Sequence, residues 1–204
     1  RSRGESAPCT LTLIGKTCAL SAGHCLKTFG RAEFDVVGSE NGDYMSSTPE
    51  NTYEIDQGSI VTGNNISQDF AVLRLMKNQI TGLYAGMIRG FYEVSHAPIS
   101  IGEQIRVTGY GIDQRNLRRN AIQKEGLGLV EYQDGLVIHH TSDTTGGNSG
   151  SAVIDVETEK VRGVHFAGIC DGNKNMNQAL MIHNNPPFQK AINDCLAWEE
   201  EHLP

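Results

Sequence analysis

No stretch of the 204-residue chain gathers the about 18 consecutive apolar residues that a membrane-crossing helix requires, so no membrane span is expected. No Lys/Arg-rich block is present either. The formal charge is -7, and the densest basic cluster, Arg115 to Arg119, is short and reads as a loop, so no nucleic-acid partner is expected. No disordered tract stands out. With 38% hydrophobic residues the chain can bury a real core, as one domain or as two small ones packed together. The five cysteines, Cys9, Cys18, Cys25, Cys170 and Cys195, match neither the paired spacing of zinc ligands nor a redox motif. No metal and no cofactor are therefore expected. Disulfides in an oxidising compartment are the better reading, which points to a secreted or periplasmic protein with one cysteine left over. The chain opens on Arg1-Ser2-Arg3 without the apolar stretch of a secretory signal, which leaves open a leader or propeptide removed upstream.

What is present is organised around Asp143-Thr-Thr-Gly-Gly-Asn-Ser-Gly-Ser-Ala152. Gly146, Gly147 and Gly150 allow a sharp turn that leaves the Ser149 hydroxyl and nearby N–H groups pointing outward. Two N–H groups converging beside a hydroxyl suit acyl transfer, in which a carbonyl oxygen gains negative charge. A Gly/Ser-rich hairpin loop is the plain alternative.

Short strand patterns fill the rest of the chain. Thr10–Ile14 and Cys18–Leu20 lead to Ser21-Ala-Gly-His-Cys25, where His24 reads either as a base or as a partly buried structural histidine. Phe34–Val37, Tyr53–Gln57 and Ser59–Val61 follow, separated by polar turns. Asp69 stands directly before the apolar run from Phe70 to Leu75, either as a carboxylate with a dedicated donor or as a turn residue. Residues 81–100 read as a crossover between two halves. Strands resume at Gln104–Thr108, Gly128–Val130, Gly135–Ile138, Ser151–Ile154, Val161–Phe166 and Ala179–Ile182. Many short strands with turns between them predict an all-β chain. Phe188, Ile192, Cys195 and Leu196 mark one face of a terminal helix that begins after Pro186-Pro187, and the run Glu199 to Glu201 reads as a solvated tail.

His24, Asp69 and Ser149 together supply a base, an orienting carboxylate and a hydroxyl nucleophile. Ser21-Ala-Gly-His-Cys25, Asp69-Phe-Ala-Val-Leu73 and Gly147-Asn-Ser-Gly-Ser151 resemble, in order, the histidine, aspartate and serine motifs of chymotrypsin-fold serine proteases. Thr144-Thr-Gly-Gly-Asn-Ser-Gly-Ser151, Val107-Thr-Gly-Tyr110 and Gly163-Val-His165 look most like the glutamyl endopeptidase branch. The resemblance implies two antiparallel six-stranded β-barrels, over residues 1–93 and 94–204, with a C-terminal α-helix packed on the second. The first barrel is expected to be short by a strand, or to have lost an upstream segment, because so little chain precedes Cys9. The resemblance further implies that Gly147 and Ser149 supply the oxyanion-hole N–H groups, and that a Cys9–Cys25 bridge staples the histidine loop. It leaves Cys170 to tie the pocket rim to Cys195, with Cys18 as a buried thiol, although other pairings stay open. Asn148 stands where digestive members carry an aspartate that pairs with a freed N-terminus, so activation by that ion pair is not expected.

By the same resemblance, Asp143, Thr144, His165, Phe166 and Gly168 line the specificity pocket. Thr144 and His165 match positions that recognise a substrate carboxylate, since a hydroxyl and an imidazole both donate to an anion. That favours cleavage after Glu, or Asp. Asp143 occupies the position of the aspartate that draws Lys or Arg into trypsin-like pockets, and trypsin-like cleavage is the alternative. The implied protein is a secreted serine endopeptidase acting as a monomer on protein or peptide substrates. A catalytically silent homologue that binds a partner, and a narrowly selective protease with a gated oxyanion hole, are the other readings.

Overall fold

A computed structural model describes residues 1–4, 8–63, 65, 68–113, 115–169 and 176–203. The first half forms an antiparallel sheet from β1 (Ser2–Arg3), β2 (Thr12–Leu13), β3 (Cys18–Ser21), β4 (Arg31–Glu33), β5 (Thr52–Thr62) and β6 (Ala71–Leu75), in the order β1-β4-β5-β6-β3-β2. Among the described residues its edges are joined only by an isolated bridge between Ser2 and Cys9, so this six-stranded sheet is a half-barrel. Ser2 and Arg3 supply the strand that the short leader seemed to lack. The second half closes fully, from β7 (Gln104–Gly109), β8 (Lys124–Asp134), β9 (Val137–His140), β10 (Ala152–Asp155), β11 (Val161–Ile169) and β12 (Met176–Met181). A five-residue helix, α1 (Ala85–Arg89), lies in the crossover, and α2 (Pro186–His202) ends the chain. Among the described residues, no helix is long and apolar enough to cross a membrane.

The alternating pattern of the strands builds two cores. Ile105, Val107, Val130, Ile138, Val153, Ala179 and Met181 fill the closed barrel. A larger cluster joins the half-barrel to the other face of β10 and β11 and to α2, through Leu20, Phe70, Leu73, Ile154, Val164, Phe188 and Ile192. Phe34–Val37 is not a strand. Asp35 takes a φ of 46°, which breaks an extended run, and β4 lies just before it. Tyr53–Gln57 and Ser59–Val61 merge into the single long β5, whose register against β6 shifts between Asp56 and Val61 and lets the strand bend.

Helix α2 makes its main contacts with β3 and β6 of the half-barrel rather than with the second barrel, whose Ile154 and Val164 it meets only through the shared core. Phe188 stacks on Phe70 with ring centroids 4.5 Å apart. This docking corrects the disulfide expectation. Cys9 does bridge Cys25, but Cys195 bridges Cys18, with Cα atoms 6.1 Å apart, because the helix presents Cys195 to the start of β3. Cys18 is therefore no free thiol, and Cys170 lies outside the described residues.

The acidic run is likewise not all solvated tail. Glu199 is 8% exposed, and its carboxylate accepts from the backbone N–H groups of Lys16, Thr17 and Cys18 and from the Thr17 hydroxyl at 2.6–2.9 Å. Removing it leaves those donors without an acceptor, and each orphaned buried group costs about 1–3 kcal/mol. Glu199→Ala is expected to lower the unfolding free energy by about 3 kcal/mol in denaturant titrations. An unchanged midpoint would show that water replaces the carboxylate without loss.

Candidate active site

Strand pairing sets the first two groups side by side. β3 and β6 are neighbours with Ser21 opposite Ala71, so the residues just after β3 and just before β6 emerge together. His24 lies in the 3₁₀ turn Gly23–Thr28 that follows β3, and Asp69 immediately precedes Phe70. The Asp69 carboxylate grips the histidine twice: Oδ1 accepts from the His24 backbone N–H at 2.8 Å, and Oδ2 meets the ring Nδ1 at 2.7 Å. The His24 side chain is 47% exposed and that of Asp69 13%. The hydrogen bond to Asp69 raises the imidazole pKa above its ordinary value, against partial burial, which lowers it, and the Asp69 charge adds to the rise. With the proton held on Nδ1, the other ring nitrogen is left as an acceptor. As pH falls through the raised pKa, that nitrogen takes a proton and no longer accepts.

Ser149 sits in the turn between β9 and β10. Gly147 and Gly150 have φ of 97° and 89°, a region that a Cβ makes costly. The carbonyls of the turn are turned inward onto the scaffold. Gly146 O accepts from Ile112 N at 2.7 Å, Gly147 O from the Thr10 hydroxyl at 2.9 Å, Asn148 O from Ser151 N at 2.9 Å and Ser149 O from Thr10 N at 2.8 Å. Within the described residues neither Gly147 N–H nor Ser149 N–H donates a hydrogen bond, so both are available to a ligand. The turn abuts the histidine segment, with the Cys25 sulfur 3.9 Å from the Ser149 carbonyl oxygen. No hydrogen bond joins the Ser149 hydroxyl to His24 among the described residues.

The expected pocket residues fall into three groups. Thr144 and Gly168 lie beside Asn177: the Thr144 hydroxyl donates to Asn177 Oδ1 at 2.7 Å, Asn177 Nδ2 donates to Ser142 O at 2.6 Å, and Gly168 pairs with Asn177 across β11 and β12. His165 and Phe166 are buried. His165 anchors the Ser149 turn through its backbone, accepting from Gly150 N and donating to Ser151 O, both at 2.8 Å, while Phe166 belongs to the larger core. Burial, then the charge of His24, push the His165 imidazole down to about 4, so it is neutral at neutral pH. His140 faces it, Nε2 to Nδ1 at 3.3 Å, and is itself pushed to about 3 by burial, by His165 and by His139. Asp143 stands apart. It is exposed and forms no ion pair or side-chain hydrogen bond among the described residues, including with His139, His140 or His165.

Ligand atoms of Cys9, His24 and Cys25 lie within 4.8 Å of one another, but the two sulfurs are joined in a disulfide and offer no thiolate to a metal. Thr10 and Asn177 escaped sequence reasoning, and His140 received no role from it beyond that of a candidate partner for Asp143. Each sits on or beside an ordinary strand pattern, and only the tertiary pairing shows what its polar atoms meet.

The family model of the trypsin-like peptidase domain matches residues 9–164. A glutamyl endopeptidase of Staphylococcus aureus (strain MRSA252) is 26% identical over 162 residues, which cover 79% of this chain and 40% of that protein. A second Staphylococcus aureus glutamyl endopeptidase is 28% identical over 117 residues, 57% of this chain and 32% of the relative. The chain thus spans 40% or less of the length of these relatives. Among solved structures, a Glu endopeptidase in complex with MPD superposes with a TM-score of 0.74 at 23% identity, covering 96% of this chain and 89% of the other. A thermostable serine protease, AL20, from an extremophilic microorganism superposes with a TM-score of 0.70 at 12% identity, covering 93% and 90%. At these identities the superpositions speak to the fold alone.

Proposed function

The chain belongs to the trypsin-like peptidase family, and from that premise we propose that it is a serine endopeptidase cleaving after Glu, or Asp, through His24, Asp69 and Ser149. The double grip of Asp69 on His24 carries the reading, because a carboxylate that bonds both the ring and the backbone of one histidine fixes its tautomer and direction. In the proposed reaction the Ser149 oxygen attacks the scissile carbonyl and passes its proton to the free ring nitrogen of His24. The developing oxyanion accepts from Gly147 N–H and Ser149 N–H. His24 then protonates the leaving amine, and water, deprotonated by the same imidazole, releases the acid product and restores Ser149. The two β units, 1–93 and 94–204, contribute the base pair and the nucleophile respectively.

Acidic specificity is supported by the name of the Staphylococcus aureus relatives and by the exposure of Asp143, whose carboxylate is not buried as a fixed charge for Lys or Arg; the Thr144 hydroxyl must give up its bond to Asn177 Oδ1 to donate to a substrate carboxylate. His165 enters this scheme as a neutral donor rather than as a charge. The two disulfides fit an oxidising compartment, so the protein is proposed to be secreted or periplasmic and to act on proteins or peptides. Matched peptides that differ only in Glu, Asp, Lys or Arg before the cut test the specificity. The kcat/KM for Glu is expected to exceed that for Lys or Arg by about tenfold or more. A preference for Arg reverses the assignment in favour of Asp143. No cleavage of any peptide, together with no labelling of Ser149 by a serine-directed phosphonate, marks a silent homologue instead.

A further inference from the structure

Thr10 is 2% exposed, and all of its polar groups are engaged. Its N–H donates to Ser149 O at 2.8 Å, and its carbonyl accepts from the Ser21 hydroxyl at 2.8 Å. Its own hydroxyl lies 2.9 Å from Gly147 O and 3.1 Å from Tyr110 N. Ser21 is the last residue of β3, ahead of His24, and Tyr110 follows β7. One residue therefore ties the base-bearing strand, the closed barrel and the nucleophile turn together.

The direction of the hydroxyl proton follows from its partners. Tyr110 N–H can only donate, so it takes a lone pair of the threonine oxygen, and the single proton goes to the Gly147 carbonyl. Gly147 lacks a Cβ and has a φ of 97°, so nothing in its own structure prevents the peptide groups on either side from turning. Hydrogen bonds hold them, one within the turn, from Asn148 N–H to Thr145 O at 3.0 Å, and two from outside. Ile112 N–H holds the Gly146 carbonyl, on the peptide that carries the Gly147 N–H, and the Thr10 hydroxyl holds the next carbonyl.

We infer that Thr10 is a positioning residue for the oxyanion site: by fixing the Gly147 carbonyl, its hydroxyl keeps the Gly147 N–H aimed where negative charge develops. The inference rests on the reading of Ser149 as the nucleophile. An N–H that is aimed in advance stabilises the tetrahedral state more than the bound substrate, so its effect falls on kcat rather than on KM. A residue that merely supported the fold would not separate the two.

Thr10→Val keeps the shape and both backbone bonds while removing the hydroxyl. It is expected to lower kcat about tenfold, with KM changed less than about twofold. The affinity of a peptide boronate, which forms a tetrahedral adduct, is expected to fall in parallel, and Thr10→Ser to recover most of the loss. The inference is overturned if folded Thr10→Val retains wild-type kcat, if the loss appears in KM, if boronate affinity is unchanged, or if Thr10→Ser is as impaired as Thr10→Val. Thr10→Ala serves where Thr10→Val does not fold. Should neither fold while Thr10→Ser does, the role is structural and the inference fails. Full activity of Ser149→Ala is a separate result, which would remove the nucleophile reading itself.

Discussion

Ser149→Ala is expected to lower kcat by about 10⁴ to 10⁶ while leaving the fold unchanged. The substitution takes away only the hydroxyl, and the turn is held by backbone groups: Ser149 O on Thr10 N, Gly150 N on His165 O and Ile112 N on Gly146 O. None of these involves the Ser149 side chain, so the loop keeps its form. The His24–Asp69 pair also remains, since its two bonds do not pass through Ser149. What disappears is the atom proposed to form the acyl bond. In the proposed mechanism, water attacking within the same site keeps the help of Gly147 N–H and Ser149 N–H, so a residual rate above the uncatalysed one is expected. Turnover of the best peptide, measured beside a denaturant titration of the same variant, checks both halves. Wild-type turnover in a preparation free of contaminating protease would end the assignment of Ser149 as nucleophile.

Asp69→Asn is expected to cost about 10³ to 10⁴ in kcat at neutral pH, again with the fold retained. The amide oxygen can still accept from the His24 backbone N–H, as Oδ1 does now at 2.8 Å. The amide NH₂ then faces the ring Nδ1 and donates to it. That nitrogen must present a lone pair, which forces the imidazole proton to the other nitrogen and turns the base into a donor toward the nucleophile. The hydrogen bond to Asp69 is also the main reason why the His24 pKa is raised, so the variant's imidazole titrates at lower pH. NMR titration of the ring and steady-state kinetics report the two effects independently. A loss below tenfold would mean that Asp69 does not control the tautomer.

How much was legible in the sequence follows from how local each signal is. His24, Asp69 and Ser149 each sit in a short motif whose turn residues are contiguous, and β3 and β6 are neighbours, so motifs at their ends meet without further information. The helix from Pro186 was equally plain, from the spacing of its apolar face and the proline at its first turn. Which sheet that face would meet was not, because Phe188 and Cys195 fit either sheet in pattern, and only the stack on Phe70 and the bridge to Cys18 decide it. Glu199 looked like one of three acidic tail residues. Glu200 and Glu201 beside it are solvent-exposed, while its own carboxylate reaches back across the fold to the start of β3. The partners of Thr10 and Asn177 are long-range in the same way, so no window of sequence contains them.

The bridge from Cys18 to Cys195, with a sequence separation of 177, has a consequence for any cut in the chain. A single cut anywhere in the chain between those two cysteines yields two pieces that remain covalently joined. Such a nicked molecule cannot lose either half by dilution, and the half-barrel and the closed barrel stay at high effective concentration for one another. Separation of the pieces must await reduction of the bond.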